Sequence, residues 1–488
     1  MARIRTLQQR LNDLDARAWL LERQIEEADR AAAILRSKLA ENRRERAAHA
    51  AIDLSSALPD DILKLVFEEA YEHKFDDNCP ICRRKLPLTV THVSRRWRAV
   101  ALSLPRLWRC IHIGTSSQSL LELSIERSWK TPLFLTLDGW DYASPGGGAN
   151  RAWNHLHMRN LSYILQRTTH IARICLETNV ADVLCSFMAD IAGKTLPSLE
   201  HISLFAPDDE NDDEALPFAT ISLESVELPN LKSLWLTGNI ELKHAPTSFV
   251  ALRTLALTEC SLVPSKLAAL AEAAPQLDQM YIDHCRVLEE DLEPVFAHFP
   301  AMRSLTVSRS GSQAPFSCMS LPVLASVTFV DVRFIACLPP DPDPVEAASS
   351  VLPMVRNLTL VNVGVWYDED DDSREPYDGH MFAFIPRVTA LAFRKCGAGV
   401  APLLEHFATA VPLTLPVLEV LELTDVMGLP QDLLLRIIRH RAKHDCPLRE
   451  VRLGKCMRDE LGEDMVKILE DIVRVTLAEC RWDSDAVF

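Results

Sequence analysis

The sequence contains no run of about 18 apolar residues, so it predicts no membrane-spanning helix. Residues 1–10 mix charged and apolar side chains, and we expect no secretory signal there. The 13 cysteines are odd in number and lack the regular spacing of a disulfide framework. That pattern favours a reducing compartment, so we expect an intracellular protein in the cytoplasm, the nucleus or both.

The usual signatures of catalysis are also absent from the sequence. It has no Gly-x-Ser-x-Gly elbow, no set of protein kinase motifs and no His-Glu-x-x-His pair. His440 and His444 stand four residues apart with Cys446 and Cys456 nearby, but no carboxylate clearly shares their face. We interpret the histidines as an exposed pair near a helix end, where the helix dipole favours them, rather than as metal ligands. The sequence therefore predicts no enzyme, no cofactor and no metal site.

Acidic residues outnumber basic ones, 68 to 52, which gives a net charge of −16. Nucleic-acid backbones and anionic membranes attract basic surfaces and repel acidic ones, so we expect neither as a partner. A chain of 488 residues is too long for one compact core, and two or more structural units are expected.

Glycine and proline are absent from residues 4–39, where apolar residues recur at alternating steps of three and four. The seam consists of Ile4, Leu7, Leu11, Leu14, Ala18, Leu21, Ile25, Ala28, Ala32, Leu35 and Leu39. Such a repeat favours a left-handed coiled coil, so residues 1–50 are predicted to form one coiled-coil helix. The alanines weaken the seam, which leaves two interpretations: a homodimer through residues 4–39, or a helix that folds back on its own domain.

A helix is predicted to begin at Leu58-Pro59. Proline suits the first helical position because its missing N–H is not needed there, and Asp60 and Asp61 place negative charge where the helix dipole favours it. One apolar face is predicted to follow, made of Ile62, Leu63, Val66, Phe67 and Ala70.

A second helical run covers residues 88–101, and Ser94 is the candidate N-cap between two short helices. Its predicted buried stripe consists of Val90, Val93, Trp97 and Val100. A unit this small and this apolar is expected to pack on a partner or on a neighbouring domain.

These residues resemble the F-box, whose pattern opens with Leu-Pro and an acidic residue and closes with Val-Ser-Arg, an aromatic and a basic residue. Leu58-Pro59, Val93-Ser94-Arg95 and Trp97-Arg98 match that pattern, and residues 104–108 are similar to the segment that follows it in many fungal members. The resemblance covers residues 57–113 and implies a trihelical module that docks on the Skp-family adaptor of a cullin–RING ubiquitin ligase. The adaptor contacts that it implies are Leu58, Pro59, Ile62, Leu63, Val66, Val93, Ser94 and Trp97.

An insert at residues 72–87 departs from the F-box pattern and lengthens the connection between the first two helices. It carries Cys79-Pro80-Ile81-Cys82, a spacing that forms half of many zinc sites. A second cysteine pair is missing, and only His73 and His92 are near in sequence. We therefore predict a loop with two thiols and no metal.

Residues 114–488 contain a repeated unit, apolar-x-apolar-x-x-[Asn/Cys], in twelve copies spaced 21 to 33 residues apart. Seven copies end in Asn or Cys, at Asn179, Asn239, Cys260, Cys285, Cys396, Cys456 and Cys480. Degenerate copies end at Pro207, Ser310, Val332, Val363 and Val426. This spacing is typical of leucine-rich repeats, whose short strands bury their apolar sides by stacking. We expect an α/β fold: a right-handed solenoid with a parallel concave sheet and convex helices, such as residues 265–274 and 431–443.

Two acidic runs, residues 208–214 and 368–372, interrupt the repeats and are predicted to be extended, mobile insertions. Because side chains alternate across a strand, the residues between the apolar positions are predicted to line the concave sheet. They suggest a target-binding site in two parts, an aromatic patch and a basic stripe for acidic features of a target. The patch is Phe205, Trp235 and Tyr281, and the stripe is Arg394, Arg452 and Arg474. In an alternative interpretation, the acidic run 368–372 covers these arginines.

The sequence as a whole predicts a substrate-recognition adaptor of a Skp–cullin–F-box ubiquitin ligase. The F-box would bind the ligase, the repeat surface would bind a protein target, and proximity would promote ubiquitin transfer. The alternative is a non-degradative leucine-rich-repeat scaffold or an oligomeric interaction protein.

Overall fold

The computed structural model divides the chain into two units, Met1–Ala70 and Tyr71–Phe488. It describes residues 19, 21, 23, 30, 33–44, 58–73, 80–113, 117–138, 159–178, 181–206, 219–222, 227–238, 240–244, 249–287, 297–309, 319–331, 354–363, 382, 385–397, 400–426 and 428–478. In the first unit, residues 33–44 are helical and their side chains are exposed. Most of the heptad seam lies outside the described residues, so the coiled coil stays a prediction.

Three helices follow: α1 (Asp60–His73), α2 (Pro80–Val93) and α3 (Arg95–Leu102). Ser94 caps α3, since its hydroxyl oxygen accepts the backbone N–H of Trp97 at 3.1 Å. The predicted N-cap is therefore confirmed, and it satisfies one of the N–H groups that the first turn of a helix leaves unpaired.

The insert predicted as a loop is partly helical, because α2 begins at Pro80 and includes residues 80–87. Pro87 is accommodated inside the helix, and its side chain is buried. Cys79 and the side chain of Cys82 lie outside the described part of the chain, so the absence of metal there stays a prediction.

The predicted buried stripe of the second helical run is wrong at one position. Val90 and Val100 are buried as expected, whereas Val93 is 55% exposed at the last position of α2.

Two side-chain hydrogen bonds fix the segment that leads to the sheet. Arg98 Nε donates to the carbonyl of Thr91 at 2.8 Å, and the buried Trp108 donates through Nε1 to the carbonyl of Ala101 at 3.0 Å.

The second unit is built on one parallel sheet of 14 strands that follow one another in chain order. The strands are β1 (Cys110–His112), β2 (Leu133–Asp138), β3 (Ile171–Glu177), β4 (His201–Ala206), β5 (Ser233–Gly238), β6 (Thr254–Thr258), β7 (Gln279–Asp283), β8 (Ser304–Ser308), β9 (Ser326–Val330), β10 (Asn357–Val361), β11 (Ala390–Arg394), β12 (Val420–Thr424), β13 (Glu450–Leu453) and β14 (Arg474–Leu477). The twelve predicted copies coincide with β3 to β14. β1 and β2 were not predicted: they precede the first recognised copy, and neither is followed by Asn or Cys in the repeat slot.

Side chains alternate between the buried core and the opposite side of the sheet, which we call the outer face. In β4, for example, Ile202 and Leu204 are buried while Ser203 between them is half-buried. Neighbouring strands pair in register, so equivalent residues form columns across the outer face. The strand pattern thus fixes which side chains a partner can reach.

Helices and short strands line the core side of the sheet. The helices are α4 (Gln118–Ser128), residues 159–167, α5 (Ala181–Ile191), α6 (Pro264–Ala273), α7 (Ala401–Thr409), α8 (Leu433–Lys443) and α9 (Lys455–Glu470). Three short parallel strand pairs each join two consecutive links: Ala219–Ser222 with Ile240–His244, Ser261–Leu262 with Arg286–Val287 and Ala297–His298 with Met319–Ser320. The predicted helices at residues 265–274 and 431–443 are confirmed by α6 and α8, but this side is not helical throughout. No helix in the described part of the chain is both long and apolar enough to cross a membrane.

A residue with left-handed backbone follows each strand from β6 to β12. These residues are Glu259, His284, Arg309, Asp331, Asn362, Lys395 and Asp425, with φ between 44° and 57°. For the first six, the backbone N–H donates to a carbonyl at the end of the next strand, at 2.8–3.0 Å. The turn therefore continues the hydrogen-bond ladder, although a non-glycine residue is sterically strained in this conformation.

In the turns where the next residue is described, that residue is buried in the core, which explains the Cys slot. Cys260, Cys285 and Cys396 are buried, and their thiols lie 3.2 to 3.5 Å from carbonyl oxygens of their own and the preceding strand. Burial raises the pKa of the Cys396 thiol, which stays protonated and serves as a weak donor. Cys456 departs from this pattern, because it is exposed in the first turn of α9.

Arg441 on α8 is buried, with no exposed surface, and holds the turn that precedes β12. Its Nη1 donates to the carbonyl of Thr414 at 3.1 Å. Its Nη2 lies 3.0 to 3.4 Å from the carbonyls of Leu415, Pro416 and Leu418. Burial lowers the pKa of Arg441, and the carbonyl dipoles compensate its charge.

Candidate binding face

The outer face is the candidate functional site, since it is the surface that the repeated strands present together. Its middle column runs through Ser203, Trp235, Ala256, Tyr281, Thr306, Thr328, Thr359, Ala392, Glu422, Arg452 and Thr476. Small hydroxyl side chains occupy its centre, from β8 to β10, and separate an aromatic end from a charged end. The two parts of the predicted site thus fall at opposite ends of one surface.

The three predicted aromatic residues do point to the outer face, but they are spread over it. Trp235 and Tyr281 share the middle column with Ala256 between them, which puts them two strands and roughly 10 Å apart. Phe205 lies in the adjacent column, opposite Thr237. The ring that contacts Trp235 is His201, at 5.5 Å between ring centroids in an edge-to-face arrangement.

The predicted basic stripe is interleaved with two glutamates that the sequence analysis misses. Arg394 binds Glu422, with Nη2 2.6 Å from Oε1, and Arg452 binds Glu450, with Nε 3.0 Å from Oε1. The pKa of Glu450 is lowered by its hydrogen bonds from Arg452 and Thr476. Two of the three arginines are therefore engaged in ion pairs within the protein, and the stripe carries alternating charges.

Neither ion pair joins residues that are directly opposite in the sheet. Glu450 and Arg452 lie two residues apart on β13, so their side chains share the outer face. Arg394 and Glu422 are diagonal neighbours on β11 and β12, because Glu422 stands opposite Ala392 and Arg394 stands opposite Thr424. Opposite charges at such neighbouring positions attract each other.

A second cluster of cationic and aromatic side chains lies at the β1–β5 end of the outer face. We call it the basic aromatic end and define it as Arg109, Phe134, Arg173, His201 and Trp235. The guanidinium carbons of Arg109 and Arg173 lie 4.5 and 5.3 Å from the centroid of the Phe134 ring. Arg173 and His201 occupy neighbouring positions of the same column. The sequence analysis misses this cluster because it does not recognise β1 and β2 as strands.

The pKa of His201 reflects the electrostatic environment of this end. Its pKa falls from 6.5 to about 4, first because the ring is largely buried and second because Arg173 repels the protonated form. His201 is therefore neutral at physiological pH and adds no charge of its own.

The predicted adaptor-binding residues on α1 fall into two groups. Leu58, Ile62 and Val66 are exposed, together with the neighbouring Leu65. Leu63 is 1% exposed, so its side chain packs inside the protein. At 100° per residue, Ile62, Leu65 and Val66 occupy an arc of about 100° on α1 that is distinct from the buried arc, and Leu58 lies two residues before the helix.

The remaining predicted adaptor contacts lie at the start and at the junction of the helices. Pro59 is exposed, and its carbonyl accepts the N–H of Leu63 at 3.1 Å in the first turn of α1. Val93 is exposed, while Ser94 and Trp97 are half-buried, with Ser94 occupied as the N-cap of α3. All eight residues stay predictions as adaptor contacts.

The described residues contain no group of three or more His, Cys, Asp or Glu side chains that could hold a metal ion. The rings of His440 and His444 stack at 4.8 Å, and Nε2 of His440 lies 3.1 Å from the carbonyl of Ala410. The acidic runs 208–214 and 368–372 lie outside the described residues.

No protein-family model matches the chain, and no curated protein matches it.

Proposed function

We propose that the protein is a substrate-recognition adaptor of a Skp–cullin–F-box ubiquitin ligase. It would bind the Skp-family adaptor through an F-box around α1 and a protein target through a leucine-rich-repeat solenoid. The observation that carries the ligase link is an exposed apolar surface, made of Ile62, Leu65 and Val66 on α1 and Leu58 just before it. A helix of a folded protein that keeps an apolar face in water is typical of a docking surface.

The architecture of the second unit supports a binding role for the outer face. Its 14 in-register strands make one continuous surface of columns, and stacked repeats use such surfaces to bind extended partners. The protein would act by proximity, holding the target beside the charged ubiquitin-conjugating enzyme. It would supply no nucleophile, acid or base.

Co-purification with a Skp-family adaptor tests the ligase link. We expect Ile62→Glu and Val66→Glu, each placing a charge in the exposed arc, to abolish binding of the full-length protein. Lys64→Glu is the matched control, since Lys64 lies on the polar side of α1, where it forms an exposed ion pair with Asp61. Unchanged melting temperatures would show that the folds are intact. If the wild-type protein fails to bind the adaptor at micromolar concentration, the proposal is wrong.

The alternative is an oligomeric repeat scaffold without a ligase. The exposed Leu21, Leu35 and Leu39 of the N-terminal helix favour self-association, because they belong to the predicted heptad seam. Analytical ultracentrifugation of the full-length protein and of Leu35→Asp distinguishes the cases. A dimer that the substitution dissociates supports the coiled coil, whereas a monomer at all concentrations supports a helix that folds back.

A further inference from the structure

The basic aromatic end brings two guanidinium groups together with half-buried aromatic rings on the outer face. Phe134, Arg173 and His201 share one column of this face. Arg109 immediately precedes β1, and Trp235 lies in the middle column. Phe134 lies between the guanidinium groups of Arg109 and Arg173, at 4.5 and 5.3 Å from the ring centroid. A guanidinium that lies against an aromatic ring is held in a fixed orientation, and its N–H groups point outward in its own plane. That orientation matches a planar carboxylate, which accepts two parallel hydrogen bonds.

Arg173 differs from the arginines at the other end of the face. Arg394 and Arg452 bind Glu422 and Glu450. Arg173 makes no ion pair or hydrogen bond with any described residue. It lies over the Phe134 ring, and its charge disfavours the protonated form of His201. No described carboxylate therefore compensates its charge, in a protein whose overall charge is −16.

An apolar surface continues from the cationic column. His201, next to Arg173, meets the half-buried Trp235, and Tyr281 lies two strands further along the middle column. A segment lying across these strands would place an acidic side chain at Arg173 and an apolar one at Trp235. Trp and Arg are the side chains that most often anchor protein interfaces.

We propose that the basic aromatic end is the specificity site for the target, where Arg173 binds a carboxylate in an acidic segment that also presents an apolar residue to Trp235. This inference rests on the proposal that the outer face binds the target, and it moves the anion-binding position from the β11–β14 end to the β2–β3 end. It does not depend on the ligase link, because the face is formed entirely by the second unit.

Fluorescence anisotropy with the full-length protein tests this site without any ligase component. The probe is a labelled peptide of alternating glutamate and leucine, and its matched control has glutamine in place of glutamate. We expect the wild-type protein to bind the glutamate peptide. Arg173→Gln should weaken binding by about 10- to 100-fold, the range for losing hydrogen bonds to a charged group. Arg452→Gln, a control on the same face, should change it by less than about twofold.

Arg173→Lys separates shape from charge. Lysine keeps the positive charge but cannot lie flat on Phe134 or bind a carboxylate in a bidentate manner, so we expect a loss of peptide affinity between those of wild type and Arg173→Gln.

The pKa of His201, followed by NMR of its ring, gives a second measurement of the site. Arg173→Gln removes the nearby charge and should raise the pKa of His201, which confirms that the variant is folded and that the site is perturbed locally.

Three results would overturn the inference. They are equal affinity of Arg173→Gln and wild type, equal binding of the glutamate and glutamine peptides, and no wild-type binding at millimolar peptide. A phosphoserine peptide that binds through Arg173 while the glutamate peptide does not would replace the carboxylate partner by a phosphorylated one. Adaptor co-purification is measured separately, so failure here leaves the ligase proposal standing, and failure there leaves this site standing.

Discussion

Arg394 on β11 reaches across to Glu422 on β12, with Nε and Nη2 at 2.7 and 2.6 Å from the same carboxylate oxygen. The Glu422 side chain is only 10% exposed, so its charge depends on this partner. We expect Arg394→Ala to lower the free energy of unfolding by about 2 kcal/mol, because it leaves a mostly buried carboxylate unpaired. Urea denaturation measures the change. Arg474→Ala, on an exposed arginine of the same region, should cost less than about 0.5 kcal/mol, and an equal loss in both variants would contradict the pairing.

Arg441 should be the most sensitive charged residue of the second unit. Arg441→Met keeps the bulk but removes the donors for four carbonyls in the turn 414–418, and we expect a loss of about 3–5 kcal/mol. Arg441→Lys should also destabilise the protein, since one ammonium group cannot reach all four oxygens. The exposed Arg449→Lys serves as control in thermal denaturation. A melting temperature of Arg441→Lys equal to that of the control would show that charge alone, not the guanidinium geometry, holds the turn.

His201 should make stability depend on pH. Its pKa is about 4 in the folded protein against 6.5 for the free side chain, so between these values the unfolded chain binds a proton that the folded protein does not. Its contribution is therefore complete above pH 6.5 and is lost as the pH falls towards 4, with a magnitude of about 2–3 kcal/mol. His201→Gln removes this titration. Denaturation series at several pH values should show a shallower slope for the variant in this window, and parallel curves would refute a neutral His201.

The left-handed backbone of the turn residues predicts that two substitutions at one exposed site differ in their effect on stability. His284 has φ of 50°, its side chain is exposed, and its N–H donates to the carbonyl of Ser308 at 2.9 Å. His284→Val should destabilise the protein by about 1–2 kcal/mol, because a β-branched residue is strained in this conformation. His284→Gly should be within about 0.5 kcal/mol of wild type, since the relieved strain offsets the greater freedom of the unfolded chain. Equal losses for both would point to a contact of the imidazole instead.

Much of the second unit could be predicted from the sequence, because its regularity is local. The apolar alternation of β3 to β14 and the Cys slot that follows several of these strands can both be read from short stretches of the sequence. β1 and β2 could not be found in this way, since the slot residue is absent and β1 falls within the segment that resembles an F-box. Residues 80–87 were not predicted as helical either, because proline at position 87 ordinarily argues against a helix interior.

The candidate site was harder to predict than the fold, because its properties depend on neighbours that are distant in the chain. Arg394, Arg452 and Arg474 look alike in the sequence, yet the glutamate that pairs with Arg394 lies on the next strand, and the one that pairs with Arg452 lies on its own strand. Among the described residues, no carboxylate of β2 or β4 stands beside Arg173 in its column. The environment of an outer-face residue thus depends on adjacent strands as well as on its own strand.

The strictly sequential order of the strands also determines how this protein can change over evolutionary time. Each strand touches only the strands before and after it, so gaining or losing one whole copy would lengthen or shorten the outer face by about 4.8 Å without altering the register elsewhere. Recombination between copies can therefore adjust the distance between the basic aromatic end and the charged end in fixed increments. Related chains with different copy numbers would then select partners by the spacing of their recognition elements, even where the individual side chains are the same.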